Sequence, residues 1–211
     1  MIVRKAELSD IKDVVAIHYD RFAGFFLSTL GKPFLMVFYK AFLKSNGILL
    51  VVEDEGFIKG FAAGSRSNRG FYKKLVKSNL FDFSVAGLKI LFTKPAALKR
   101  IATNASKSAK NELIFAELLS IATVKNKKGY GKILLQEFEN EVARKNIENL
   151  PVALTTDYDN NDKAVQFYKD CGYEVQEIFE SYQKRKMYRF LKQSTNLKNK
   201  LNENSIRSTI Y

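Results

Sequence analysis

One cysteine, one histidine, three prolines and no tryptophan are found among 211 residues. The lone Cys171 excludes an intrachain disulfide framework and any cysteine-rich zinc site. The lone His18 excludes His-cluster metal chemistry and leaves a single candidate for a His-based nucleophile triad. With 3 Pro and 11 Gly the chain is neither collagen-like nor linker-dominated. Its longest uncharged apolar stretch, 22–31, falls well short of the ~18 residues of a membrane span. No secretory pattern opens the chain, and a cytoplasmic protein is expected. Enzyme chemistry here would rest on carboxylates, tyrosines, hydroxyls and backbone amides, with no metal.

What is present is a core and a charge. Residues are 46% hydrophobic and 13% aromatic, enough to bury an interior. Lys and Arg number 35 against 22 Asp and Glu, leaving +13. A field of that sign concentrates anions such as phosphorylated cofactors, nucleotides, nucleic acid or an acidic membrane face.

The apolar pattern predicts a first strand at 2–6, then a helix capped by Ser9 or Asp10 with Ile11, Val14, Val15 and Ile17 on one face. A second helix at 33–43 carries Phe34, Leu35, Phe38, Tyr39 and Phe42 at three- and four-residue spacing, with Pro33 in its first turn. Strands follow at 47–53 and 57–64 around a hairpin-length turn. Residues 66–113 read as a basic helical insertion. A strand at 114–124 then leads through a glycine turn into a helix ending near Arg144, with Ile133, Leu134, Phe138 and Val142 as its inner stripe. Next come a strand at 152–156, a helix at 161–170 and strands at 173–179 and 186–191. This order predicts a mixed α/β (α+β) domain over 1–191, one central sheet flanked by helices, with a polar tail at 192–211.

Two segments carry chemistry. In the first, Asn126, Lys127, Lys128, Gly129, Tyr130, Gly131 and Lys132 join the strand to the helix. A helix start has unpaired N–H groups and the positive dipole end, glycines let a pyrophosphate approach the backbone, and three lysines add charge. Neither the P-loop nor the dinucleotide fingerprint is complete. In the second, Asn161 to Tyr173 reads N-x-x-A-x-x-F-Y-x-x-x-G-Y on a helix ended by Gly172.

Together with L-x-I-x-x-x-x-N-x-x-G-x-G at 119–131, this segment resembles the GNAT superfamily of acyl-CoA-dependent N-acyltransferases. The element order fits that fold over most of 1–190. The resemblance implies that acetyl-CoA lays its pyrophosphate on the turn 126–132. Its pantetheine would run along Leu119, Ser120 and Ile121 in a slot made by a bulge and a splay against the strand at 152–156. Asn161 and Phe167 would adjoin the cofactor. The family usually has Arg or Gln where Asn126 stands, Gly where Lys127 stands and Pro where Thr123 stands.

An amine must lose a proton before attacking a thioester, and a carboxylate can take it. Glu117, two residues before Leu119, is expected on the same strand face as Leu119 and Ile121. Similar enzymes often carry a base there; the alternative is a strand Glu facing solvent or a Lys. Tyr168 would protonate the leaving thiolate, with Phe167 packing the helix on the sheet. Asn161 would also cap that helix. His18 is expected to be a partly exposed structural residue, and Cys171 a small buried one.

Eleven Lys and Arg lie within 66–113 against Asp82 and Glu112, an excess of nine. Three readings stay open for this insertion: an acceptor pocket for an anionic amine such as a nucleotide-linked amino sugar, a peripheral contact with an acidic membrane, or a cover or homodimer contact. The expected activity is direct acetyl transfer from acetyl-CoA to a small-molecule primary amine, amino sugars first. Transfer of a longer or aminoacyl group on the same fold is a further option. A non-catalytic binder of an anionic partner is the alternative, although no nucleic-acid motif is present.

Overall fold

The computed structural model describes residues 1–45, 47–77, 113–125, 129–144, 149–181 and 184–193. The helical reading of 78–112 and the tail 194–211 lie outside the described residues. Among the described residues, seven strands form one sheet in the order β1-β2-β3-β4-β5-β7-β6, antiparallel throughout except for β4 against β5.

Strand β1 (Ile2–Lys5) pairs with β2 (Gly47–Asp54), and between them run α1 (Ile11–Arg21), α2 (Phe26–Thr29) and α3 (Lys32–Lys44). The helix-period residues Ile11, Val14, Val15 and Ile17 of α1 and Leu35, Phe38, Tyr39 and Phe42 of α3 are buried together. Each large side chain so buried contributes about 1.5–3 kcal/mol. The short α2 was not legible in the apolar run at 22–31. Asp10 stands at the N-cap of α1, but its carboxylate makes no side-chain cap bond there. It accepts instead from the Arg4 guanidinium at 2.6 and 3.0 Å and from the Glu7 amide at 2.7 Å. Arg4 holds that carboxyl below its ordinary range and also bonds Glu53, so the helix start is tied to the sheet edge.

Strands β2 and β3 (Phe57–Ser65) form a hairpin in which Asp54 pairs with Phe57. Glu55 and Gly56 both take positive φ, the backbone that matches the twist of a two-residue hairpin. The insertion begins with α4 (Phe71–Lys77), where Phe71 and Leu75 are buried and the Phe71 ring lies 5.6 Å from that of Phe42. Asn68 closes its neck: the Asn68 amide donates to the Phe115 carbonyl at 2.8 Å, Nδ2 donates to the Leu113 carbonyl at 3.1 Å, and Oδ1 accepts from the Phe115 amide at 3.3 Å. This use of the Phe115 backbone delays β4 to Ala116–Thr123, two residues later than its apolar run begins.

The rest comprises α5 (Tyr130–Ala143), β5 (Val152–Asp157), α6 (Asp162–Asp170), β6 (Glu174–Glu180) and β7 (Lys186–Lys192). Helix α5 buries Tyr130, Leu134, Phe138 and Val142 at four-residue spacing, with Leu135 beside them. Ile133, expected in this stripe, is only half-buried at its edge. One core thus joins α1, α3 and α4 to one face of the sheet, and a second joins α5 and α6 to the other.

Candidate active site

The site begins with an irregularity in β4. Ala63 pairs with Ser120 but Gly64 pairs with Leu118, so Leu119 is an extra residue in its strand. A bulge reverses the alternation of faces. Ala116 and Leu118 pack toward α5, as does Ile121, whereas Leu119 and Ala122 pack toward α1 and α3. Glu117, the register partner of Ser65, lies on that α1/α3 face, and Ser120, partner of Ala63, follows it. The expectation that Glu117, Leu119 and Ile121 share one face is therefore corrected. Glu117 and Leu119 do share it, and the bulge turns Ile121 to the other.

Strands β4 and β5 also part company here. Their pairing runs from Ala116↔Val152 to Leu118↔Leu154 and ends, while β5 continues along β7 to Asp157. Past Leu118 and Leu154 the two strands make no ladder with each other, and a slot opens that an extended chain can enter.

At the end of β4, Asn126, Lys127 and Lys128 lie outside the described residues. Gly129 is the N-cap of α5 with φ 99°, a backbone that favours glycine. A Cβ on Gly131 would stand 3.6 Å from Phe167 Cζ, so Phe167 of α6 borders the first turn of α5. The backbone N–H groups of Tyr130, Gly131 and Lys132 belong to that turn. The Tyr130 side chain does not: it is buried, and its hydroxyl meets Asp54 Oδ2 at 2.5 Å. Lys132 is exposed.

Glu117 is half-buried, and desolvation pushes its carboxyl up to about 7, with Arg189 of β7 pulling in the opposite direction. The Tyr72 phenol of α4 faces the same carboxylate and is raised well above its ordinary value, first by burial and then by the Glu117 charge. Arg189 is ion-paired with Glu177 of β6, and its guanidinium lies 4.9 Å from the Phe179 ring centre and 5.8 Å from that of Phe115. Sequence reasoning missed Tyr72, Arg189 and Glu177. Strand alternation assigns Arg189 a face, but only the sheet order brings residue 189 near residue 117.

Tyr168 sits in the opposite core, its ring 5.8 Å from Phe190 and 6.0 Å from Tyr173, and burial pushes its phenol up to about 12. Tyr168 thus also packs α6 on the sheet, the place expected for Phe167, which is half-buried at the edge of the same core. Asn161 occupies the N-cap position without a side-chain cap bond. Its Nδ2 donates to Thr156 Oγ1 at 2.5 Å and to the Asp157 carbonyl at 3.3 Å, bracing the end of β5. Cys171 is half-buried, its thiol raised chiefly by desolvation.

His18, expected to be partly exposed, is buried against Phe22, Tyr39 and Phe61. Its Nδ1 lies 2.7 Å from the Tyr39 hydroxyl, and Nε2 has no hydrogen-bond partner among the described residues. Desolvation pushes the ring down to about 4, so it is neutral at pH 7.

A bulged strand that parts from its parallel neighbour, a glycine-capped helix after it and a carboxylate at the gap are the features that the resemblance to acyl-CoA-dependent transferases implies. Residues 14–173 match the family model described as "Acetyltransferase (GNAT) family". The chain belongs to the GNAT acetyltransferase family, whose members are acyl-CoA-dependent. No match is found among the curated proteins. Solved structures share the fold at low identity. An N-acetyltransferase from Staphylococcus aureus Mu50 has a TM-score of 0.62 at 18% identity, covering 90% of this chain and 100% of that one. Ribosomal-protein-alanine N-acetyltransferase from Brucella melitensis has 0.61 at 14%, covering 92% and 99%. The protein yncA of Salmonella typhimurium, solved with its cofactor acetyl-CoA, has 0.59 at 14%, covering 92% and 93%.

Proposed function

We propose that this protein transfers the acetyl group of acetyl-CoA to the primary amine of a small molecule, an amino sugar or nucleotide-linked amino sugar foremost. The observation that carries this reading is the slot between β4 and β5, which opens past Leu118, the residue after Glu117. Acetyl-CoA fits it in kind: the unladdered edge of β4 offers backbone groups to pantetheine, and the start of α5 after Gly129 offers N–H groups to pyrophosphate. Asn126 to Lys132, with Phe167 and Asn161 alongside, would hold the cofactor. The charge excess in 66–113 supports an acceptor that carries phosphate.

When bound, acetyl-CoA supplies a thioester carbonyl for the amine to attack and a thiol to leave. Glu117 takes the proton that the amine nitrogen loses as its bond to carbon forms. Backbone N–H groups of β4 near Ile121 would meet the carbonyl oxygen as it gains charge. Tyr168 offers its hydroxyl proton to the sulfur as the carbon–sulfur bond breaks. Raised by burial to about 12, the phenol is fully protonated at neutral pH and so carries a proton to give. Glu117 and Tyr168 lie on opposite faces of the sheet. Acid and base are regenerated by proton exchange with solvent, and no covalent enzyme intermediate is required.

We place this activity in one domain over 1–191, in the cytoplasm. The test is thiol release from acetyl-CoA with a panel of amines: glucosamine, a nucleotide-linked amino sugar, spermidine and a peptide N-terminus. Preference for the sugars is expected. Turnover confined to spermidine or the peptide would overturn the acceptor assignment, and no turnover with any amine would favour a non-catalytic anion binder.

A further inference from the structure

Glu117 must be anionic to receive a proton, yet it is set in a desolvated place. We propose that Arg189, gripped by Glu177, is the electrostatic anchor that supplies the counter-charge for Glu117. Arg189 is a positioning residue acting on the candidate base from two strands away. The inference rests on Glu117 being that base.

The sheet register carries it. Glu117 pairs with Ala153, Thr155 of the same strand pairs with Arg189, and Arg189 pairs with Glu177. Cross-strand partners share a face. The four side chains Glu117, Thr155, Arg189 and Glu177 therefore stand on one side of the sheet, with only small residues of β5 between base and guanidinium. Two strand spacings of about 4.8 Å separate the backbones, a span a long Arg side chain can narrow. The Phe115 and Phe179 rings hold the guanidinium, as cations are held over aromatic faces.

Exposure decides the sign of the field at Glu117. The Arg189 side chain is 17% exposed and that of Glu177 45%. Water screens the carboxylate more than the guanidinium, so the pair leaves a net positive field toward the interior. Among the described residues, the other groups facing Glu117 are neutral: the Tyr72 phenol from α4, the Ser65 hydroxyl from β3, and Ala153 and Thr155 from β5. Deeper in the same core, His18 and Tyr39 engage each other. Arg189 is thus the nearby cation, and Glu177 sets how much of it Glu117 feels.

The test is a carboxyl-carbon NMR titration of the full chain labelled at Glu Cδ, with the Glu117 resonance assigned by its absence in Glu117→Gln. Arg189→Gln should raise the Glu117 midpoint by roughly half a unit to one unit, a three- to tenfold change in the proton-binding constant. Glu177→Gln frees the guanidinium and should lower it, and this variant reads the same coupling if Arg189→Gln does not fold. Arg189→Lys, which keeps the charge, should stay near the wild-type midpoint. A midpoint unmoved by both Gln variants would overturn the proposal. Full acetyl transfer by Glu117→Gln would instead overturn the base assignment, whatever the titration shows.

Discussion

The carbonyl oxygen of Glu117 occupies the place where a side chain at Gly64 would begin. A Cβ on Gly64 would collide with that oxygen and stand 2.5 Å from Phe138 Cζ. The β4 bulge can pack against α5 because residue 64 has no side chain. The glycine is therefore a structural condition of the slot.

Gly64→Ala is expected to cost about 1–3 kcal/mol of stability, because neither a backbone carbonyl nor a buried ring can move aside freely. Acetyl-CoA affinity should fall with it, since the bulge and the slot move together. Denaturant unfolding and calorimetric titration of acetyl-CoA check both parts. An unchanged midpoint with unchanged affinity would mean that the bulge does not depend on this glycine.

Glu117→Gln keeps the shape of the side chain and removes the base. The expected loss in kcat is roughly 10²- to 10⁴-fold. With the carboxyl at about 7, kcat/KM of the wild type should rise with pH through that value as Glu117 ionises. The variant should lack this limb. A variant that keeps both rate and limb would contradict the assignment.

Tyr168→Phe preserves the packing against Tyr173 and Phe190 while deleting one hydroxyl. It should lower kcat and leave acetyl-CoA affinity nearly intact, since the ring and not the hydroxyl fills the core. Single-turnover kinetics with equilibrium binding separates the two effects. An unchanged chemical rate would remove Tyr168 as the proton donor.

Gly129→Val places a branched side chain at φ 99°, which costs about 1–3 kcal/mol wherever there is space for it. Among the described residues no heavy atom lies within 4 Å of the added Cβ. The effect should therefore appear in acetyl-CoA affinity, roughly tenfold or more, through a displaced start of α5. Affinity equal to wild type would mean that the turn does not hold the pyrophosphate.

His18 makes stability depend on pH. Its folded value, about 4, lies below the unfolded 6.5, so the unfolded chain takes up the proton first. Above 6.5 both states are neutral and the native state suffers no penalty. Stability should fall as pH drops from 6.5 toward 4, by up to about 3 kcal/mol. Urea unfolding across that range should show the slope, and His18→Gln should flatten it. The same slope in both proteins would assign it to other groups.

Much of the fold was legible because helix and strand periods in this chain are clean. Every strand expected from the apolar pattern is found, and the motifs at 119–131 and 161–173 point to the family that residues 14–173 match. What alternation could not show was the register. The bulge at Leu119 depends on which residue of β3 faces which residue of β4, and that moved Ile121 off the Glu117 face. The surroundings of Glu117 were hidden for a similar reason, since residues 72, 177 and 189 meet residue 117 only through sheet order and through a helix anchored by Phe71 and Leu75. The caps failed differently. Asp10 and Asn161 stand at helix starts, but Arg4 and Thr156 are better-placed partners for their side chains than the helix N–H groups.

The most direct test of the central claim is thermal unfolding with acetyl-CoA, with ATP at the same concentration as the anion control. At a hundredfold excess over Kd a ligand of the native state adds about 2.7 kcal/mol, worth on the order of 5–10 °C for a chain of this size. The slot between β4 and β5 predicts a shift with acetyl-CoA well beyond that with ATP, and one that Gly129→Val diminishes. Equal shifts with the two ligands, or none with either, would contradict it and leave the turn at Gly129 as a basic turn only.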